Sequence, residues 1–316
     1  MIPLRVTDKV VNDYFYIIKD NLLKRINTII QTNCIKKGKK KTTIINLSPS
    51  LKVFLLTFLQ GNSLENLITG DLTYLKSQIR FYRIHNQSFF VKTEDDYKIL
   101  YNIFVDHGYE KISKSDFIKK IEINTCPYCN RNYILYSNNK KIVKPEIDHF
   151  FPKGIYPLLA VSFYNLIPCC QSCNGYFGKH EKDSFLISLK SPYELNSDDF
   201  VFSYKINNIS IINPLIGKSS VDVLLKTKCL KNSEIFNLEK YYQMHQDHVL
   251  ELIIKSKTKY SDAYKNSLLK LSKYQLSKSE IDRMIIGNYS LEKEQHKRPL
   301  SKMYQDIGKE LGLIKK

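Results

Sequence analysis

Cys126-Pro-Tyr-Cys129 and Cys170-Gln-Ser-Cys173 are two C-x2-C pairs inside one stretch, and they constrain this chain more than anything else in it. Two residues between thiolates let a tight turn aim both sulfurs at one tetrahedral ion, and two such turns fill all four positions of Zn²⁺. An ion held this way has no open position, so its role would be structural. Cys169 leaves one ambiguity, since it could replace Cys170 with a spacing of three; Cys170 is preferred because Cys169 continues the apolar run Leu166, Ile167, Pro168. Cys34 and Cys229 stand alone and read as structural residues.

The 316 residues are 43% hydrophobic, enough to bury a core of one large domain or two to three smaller ones. No segment is apolar for the roughly 18 residues a membrane helix needs. Arg5, Asp8 and Lys9 interrupt any signal-peptide plan, so a cytoplasmic protein without membrane contact is expected. Seven cysteines without an export signal point to metal or burial rather than to disulfides. The formal net charge of +18 suits a polyanionic partner such as nucleic acid. A bias towards Lys, Asn, Ile and Tyr, with no Trp, is what an AT-rich genome would also produce, so charge alone does not decide the partner.

Along the chain, Val10, Val11, Tyr14, Ile17, Ile18, Leu22 and Leu23 repeat at helical spacing, within a helical pattern from Val6 to Leu59 that the run Lys36 to Lys41 breaks as a solvated loop. Thr93 with Asp96 resembles a helix start, and Ser113 with Asp116 opens a short helix leading to Cys126. Phe200, Phe202, Tyr204 and Ile206 alternate with polar residues, Asn207-Asn208 reads as a turn, and Ile209 and Ile211 resume the alternation, which predicts a hairpin. From Asn232 the pattern is helical again, and Ser277 with Glu280 forms a capping box. His245 and His248 lie one helical turn apart, but no nearby acid or cysteine completes a metal site.

Between the knuckles stand Glu146, Asp148 and His149, then Asn165, with Asn174 directly after the last cysteine. Phosphodiester hydrolysis needs a water made nucleophilic and a cation facing the phosphate. A neutral His can be the base, and an Asp with a second oxygen donor can hold a hard divalent ion.

Through DHFFPK, YNLIP and CxxCN the segment resembles the HNH endonucleases, the ββα-metal family, in the subgroup clamped by two zinc knuckles. The resemblance spans roughly 55 to 80 residues. It implies a first strand ending at Asp148-His149, a loop from Pro157 to Tyr164, a second strand near Leu166 to Cys169 and a helix starting around Cys173. It further implies His149 as general base, Asp148 and Asn174 as ligands of Mg²⁺ or Mn²⁺, Asn165 as the residue that orients the base, and Cys126, Cys129, Cys170 and Cys173 as zinc ligands. The family often has His where this chain has Asn174. Glu146 is a candidate further ligand, and Lys153 and Lys179 are candidate phosphate contacts.

The segment from Lys182 to Ile206 and the late KRPLSKMYQDI also resemble the long HNH effector nucleases of Septu-type and retron-associated antiphage systems. Those work beside an ABC- or AAA-type ATPase, which here would be another chain. The expected fold is α+β and mostly helical: a helical region over 1–115, an HNH domain with its four-cysteine zinc site over 116–190, a hairpin region over 191–230 and a helical region over 231–316. The expected activity is an endonuclease with DNA favoured over RNA; a zinc module that binds nucleic acid or a partner without turnover is the alternative from another class.

Overall fold

A computed structural model of the chain describes residues 1–37, 43–137, 146–208, 220–258 and 276–315, together with Tyr264 and Ser267. The architecture is α+β and mostly helical, with three small two-stranded antiparallel sheets among the described residues. No helix among them is long and apolar enough to cross a membrane.

The longest helix, α1 (Asp8–Thr32), buries Val11, Tyr14, Phe15, Ile18, Leu22, Ile26 and Ile29 at three- and four-residue intervals, one continuous face. It ends where Asn33 takes the left-handed conformation, φ 53°, which Asn tolerates better than most residues. The chain then forms β1 (Cys34–Lys37) against β2 (Thr43–Asn46), with Ile35 opposite Ile45 and both buried. The lysine run is therefore partly strand, since Lys36 and Lys37 belong to β1; Gly38 to Lys41 lie outside the described residues.

Helices α2 (Pro49–Leu59) and α3 (Ser63–Thr69) pack on α1, α4 (Leu72–His85) packs on the 3-10 turn at Gln87–Phe90, and together they supply Leu51, Leu55, Leu67, Ile68, Leu75 and Ile79 to the core. Ser48 caps α2 by accepting from the Leu51 amide at 3.1 Å, and its hydroxyl donates to the Asp96 carboxylate at 2.7 Å. Helix α5 (Asp95–Tyr101) starts one residue later than the Thr93 signal suggests, with Glu94 at the capping position. Asp96 is no cap there: it is buried and accepts from Ser48 and from Ser88, the latter at 2.8 Å, which ties three elements together. The helix runs on through a π turn at Asn102–Asp106, and α6 (Lys114–Ile121) opens with the expected Ser113 cap.

The central segment holds β3 (Ile147–His149) and β4 (Leu166–Pro168), paired with Asp148 opposite Ile167, and every residue of both strands is buried. A single helical turn, α7 (Gln171–Asn174), follows and stops at Gly175. It begins earlier than expected, and it is one turn rather than a full helix because Lys179 N–H folds back to the Cys173 carbonyl at 2.8 Å.

Strand β5 (Phe200–Ile206) carries the predicted alternation, but its partner is β6 (Val221–Thr227), with Ile206 opposite Val221. Asn207-Asn208 is thus not a two-residue turn. Ile209 and Ile211, expected as the return strand, lie outside the described residues. After the short α8 (Leu230–Ile235), helices α9 (Leu238–Tyr242) and α10 (Gln246–Thr258) bury Leu238, Tyr242, Val249, Leu252 and Ile253 as the periodicity implies. The helix Lys278–Ile286 has the Ser277–Glu280 capping box in full. The basic tail forms the helix Ser301–Glu310, which packs on β5 and is buried even at Lys302, paired with Asp306 at 2.7 Å.

Candidate metal centre and hydrolytic cleft

The first knuckle closes through the Asn130 amide to the Cys126 carbonyl, 2.7 Å, and the second through the Cys173 amide to the Cys170 carbonyl, 3.1 Å. Together they bring the sulfurs of Cys126, Cys129, Cys170 and Cys173 within 4.8 Å of one another, all buried and none in a disulfide. Four sulfurs about 2.3 Å from a common tetrahedral centre are separated by about 3.8 Å, and Cys129 and Cys170 stand 3.9 Å apart. The Arg131 amide and the Asn132 side-chain amide each point at a sulfur, Cys129 and Cys170 respectively, at 3.4 Å. Such donors stabilise thiolates. The thiols crowd so closely that hydrogen bonds from Cys126, Cys129 and Cys173 hold Cys170 well below the usual thiol range. The donor set fits a closed zinc site. Cys169 is outside it, buried beside Asp148, where burial pushes its thiol up, so the second knuckle uses Cys170.

Asn130 locks the first knuckle to the far end of the chain. It sits at φ 49°, and its amide nitrogen donates to Thr125 Oγ1 at 3.1 Å and the Gln295 carbonyl at 3.0 Å. Its side-chain oxygen accepts from the Lys302 amide at 3.0 Å, and its own carbonyl accepts from the Leu300 amide.

Beside the knuckles lies an open cleft of about 270 Å³ lined by Glu146, Asp148, His149, Lys153, Asn174 and His180, with Tyr109 and Lys114 on its wall. His149 Nε2–H donates to the Ala160 carbonyl at 3.1 Å, which leaves the Nδ1 lone pair able to accept a proton, and the ring meets Tyr109 edge-on at 4.3 Å. Burial first, then Lys153 and Lys179, push its pKa down to about 3, so the imidazole is neutral at ordinary pH.

Asn165 does not touch His149. Its oxygen accepts from the Phe151 amide at 2.6 Å and its nitrogen donates to the Phe151 and Leu159 carbonyls at 3.1 and 2.8 Å. It pins the loop whose next residue, Ala160, holds the imidazole, so it can orient that ring only through backbone.

Asp148 is buried, and both of its oxygens are engaged: Tyr128 O–H donates to Oδ2 at 2.7 Å and Lys179 Nζ to Oδ1 at 3.1 Å. Each oxygen keeps another lone pair for a cation. Asn174 donates its nitrogen to Glu146 Oε2 at 2.7 Å, leaving its carbonyl oxygen as an acceptor. Three oxygen donors of the hard type therefore line one cleft, a set that fits Mg²⁺ or Mn²⁺.

Lys179 is not a surface phosphate contact. Its side chain is 0% exposed, and its ammonium spans Asp148 and the His149 carbonyl, the latter at 2.7 Å. Lys153 does reach the cleft rim, paired with Glu110 at 3.1 Å and lying over the Tyr109 ring. His245 and His248 are engaged with Arg131 and the Tyr304 hydroxyl, as ordinary satisfied histidines. Sequence reasoning missed Tyr109, Tyr128 and the Ala160 carbonyl; no spacing rule marks them, although Tyr128 sits inside the first knuckle.

The buried Lys179–Asp148 pair carries a prediction. Lys179→Met leaves a buried carboxylate without its cation and should lower stability by about 3 kcal/mol. Urea unfolding without added divalent ions checks this, and Asp148→Asn in the Lys179→Met background should recover much of the loss. Additive losses would overturn the pairing argument.

With this geometry in place, comparison with known proteins adds one finding. The chain is similar to the Septu protein PtuB of Bacillus thuringiensis. The two are 31% identical over 112 residues, which is 35% of this chain and 32% of that protein. The matched part thus spans about a third of the length of PtuB. No protein-family model matches the chain, and no solved structure matches it.

Proposed function

We propose that this chain is a divalent-metal-dependent endonuclease of the HNH type that hydrolyses phosphodiester bonds of nucleic acid, DNA in preference to RNA. The observation that carries the reading is the cleft where a neutral His149 stands among the oxygens of Asp148, Glu146 and Asn174. In this reading His149 Nδ1 takes a proton from the attacking water, and the Ala160 carbonyl keeps the ring in the tautomer that allows it. Mg²⁺ or Mn²⁺, held by Asp148 and Asn174 with Glu146 in reach, would supply positive charge against the phosphate and the leaving oxygen. Lys153 and Lys114 at the cleft wall add attraction for the polyanion.

The four-cysteine cluster serves this reading as scaffold. β3 and β4 are three residues each, too short to hold a cleft unaided. The likeness to a Septu protein, together with the resemblance to effector nucleases that work beside an ATPase, supports a part in antiphage defence with an ATPase of another chain. An ATPase gene adjacent to this one would be the expected neighbour.

The test is turnover. Purified protein is incubated with supercoiled plasmid, linear duplex, single-stranded DNA and transfer RNA, with Mg²⁺ or Mn²⁺ and with neither. Divalent-dependent cutting of the DNA forms is expected. Cutting confined to transfer RNA would make it a ribonuclease, and binding without turnover on every substrate would leave a zinc module that only docks nucleic acid.

A further inference from the structure

Tyr176 and Phe177 are large aromatic side chains, 75% and 82% exposed, on the turn directly after the second knuckle. Phe177 is the more exposed of the two, although apolar rings are normally the first side chains a fold buries. Their mount is fixed at both ends. The Gly175 amide donates to the Gln171 carbonyl at 2.7 Å, and the Gly178 amide to the Gly175 carbonyl at 2.9 Å. A Cβ at Gly178 would stand 2.3 Å from the Cys173 carbonyl oxygen, so only glycine lets the turn close over the knuckle backbone. Lys179 then anchors the exit of the turn beneath Asp148 and His149. The rings are therefore held out in water from the most tightly tied part of the site.

Their neighbours point to nucleic acid. Tyr176 meets the His180 ring at 5.7 Å, and His180 and Asn174 both line the hydrolytic cleft, so the aromatic face is continuous with it. Phe177 borders a shallow hollow with Arg131, Asn132 and Tyr241, in which the Arg131 guanidinium lies 4.7 Å over the Tyr241 ring. A cation over a half-buried ring, next to the exposed Phe177, on a chain of net charge +18, matches how proteins hold an unpaired strand: cations follow the backbone and rings stack on bases of any sequence.

We propose that Tyr176 and Phe177 form a stacking platform for unpaired nucleobases at the edge of the hydrolytic cleft, which makes a single strand or a locally opened duplex the favoured substrate. This rests on the nuclease reading for its purpose, but it is tested by binding. The probe is a short single-stranded DNA oligonucleotide carrying 2-aminopurine, titrated into His149→Ala protein so that nothing is cut. Stacking should quench the probe.

The Tyr176→Ala/Phe177→Ala pair, in the same background, should weaken single-strand binding by about ten- to a hundredfold, with unchanged zinc content and little change for intact duplex. Tyr176→Phe and Phe177→Tyr, which keep the rings, should bind as the parent does. Absence of quenching in the parent, or equal losses for single strand and duplex in the alanine pair, overturns the platform. So does an alanine pair that alters only self-association, which would give the face to a second copy of the chain. If the alanine pair fails to fold, quenching in the parent and in the ring-conserving variants decides. Turnover by the native protein separates the two ideas: quenching without cutting removes the nuclease and keeps the platform, and cutting without quenching does the reverse.

Discussion

Cys129→Ser protein is expected to lose its zinc and to melt at least about 10 °C below the native protein. The central segment has little else to hold it. Each strand of its sheet is three residues and its helix is a single turn, so their order depends on the cluster that gathers Cys126, Cys129, Cys170 and Cys173. Cys129 is also a node of the surrounding core: its carbonyl accepts from the buried Tyr242 hydroxyl at 2.7 Å and its sulfur from the Arg131 amide at 3.4 Å. Losing one thiolate leaves three buried sulfurs, one short of a closed tetrahedral site, that cannot be hydrated where they sit. Metal content by elemental analysis and unfolding by calorimetry check this directly. A serine variant that keeps one zinc per chain and the native melting temperature would remove the structural role assigned to the cluster.

On the nuclease reading, His149→Ala protein is expected to cut DNA at least about a thousandfold more slowly than the native protein, with the four-cysteine cluster and the fold retained. Its ring fills a wall of the cleft against Tyr109 and contributes one hydrogen bond, to Ala160, so removal costs packing but leaves no buried charge. The native pH profile should carry a second signature. Because burial pushes the pKa down to about 3, the imidazole is already unprotonated above that, and no fall in activity centred near the ordinary histidine value is expected. Stability follows the same shift with a definite sign. A histidine held neutral in the fold and titrating normally when unfolded stabilises the protein above about pH 6.5, and that stabilisation drains away as pH falls towards 3. Full cleavage by the alanine variant would show that another group activates the water.

Local covalent spacing was the part of the site most legible in the sequence. Two C-x2-C pairs can close on one ion with few other geometries open to them, and the four sulfurs do gather. The choice of Cys170 over Cys169 was also readable, because Cys169 continues the apolar strand; its amide pairs with the Glu146 carbonyl at 3.1 Å. What the sequence did not disclose depends on contacts made across the fold. Lys179 read as a candidate phosphate contact because its motif neighbours say nothing of the Gly175–Gly178 turn that swings it under Asp148. Asn165 acts on backbone, and backbone acceptors such as the Ala160 carbonyl have no residue signature.

The same division holds for the fold. Helical faces such as Val11 to Ile29 show in the periodicity, whereas β1 and β2 were hidden by a lysine run that suggests solvent. In β5 the alternation was visible but its partner was not, since Asn207-Asn208 offered a nearer turn than the Val221–Thr227 strand that actually pairs.

The clasp at Asn130 has a consequence for anyone who would move this cluster elsewhere. Residues 295, 300 and 302 complete the hydrogen bonding of a knuckle encoded some 170 positions earlier. The four-cysteine cluster is therefore no detachable cassette: grafted into a foreign scaffold, the segment would bring its four sulfurs but leave buried Asn130 short of one acceptor, the Gln295 carbonyl, and two donors, the Leu300 and Lys302 amides. Damage near the carboxyl end of the chain would reach the four sulfurs without touching a single cysteine.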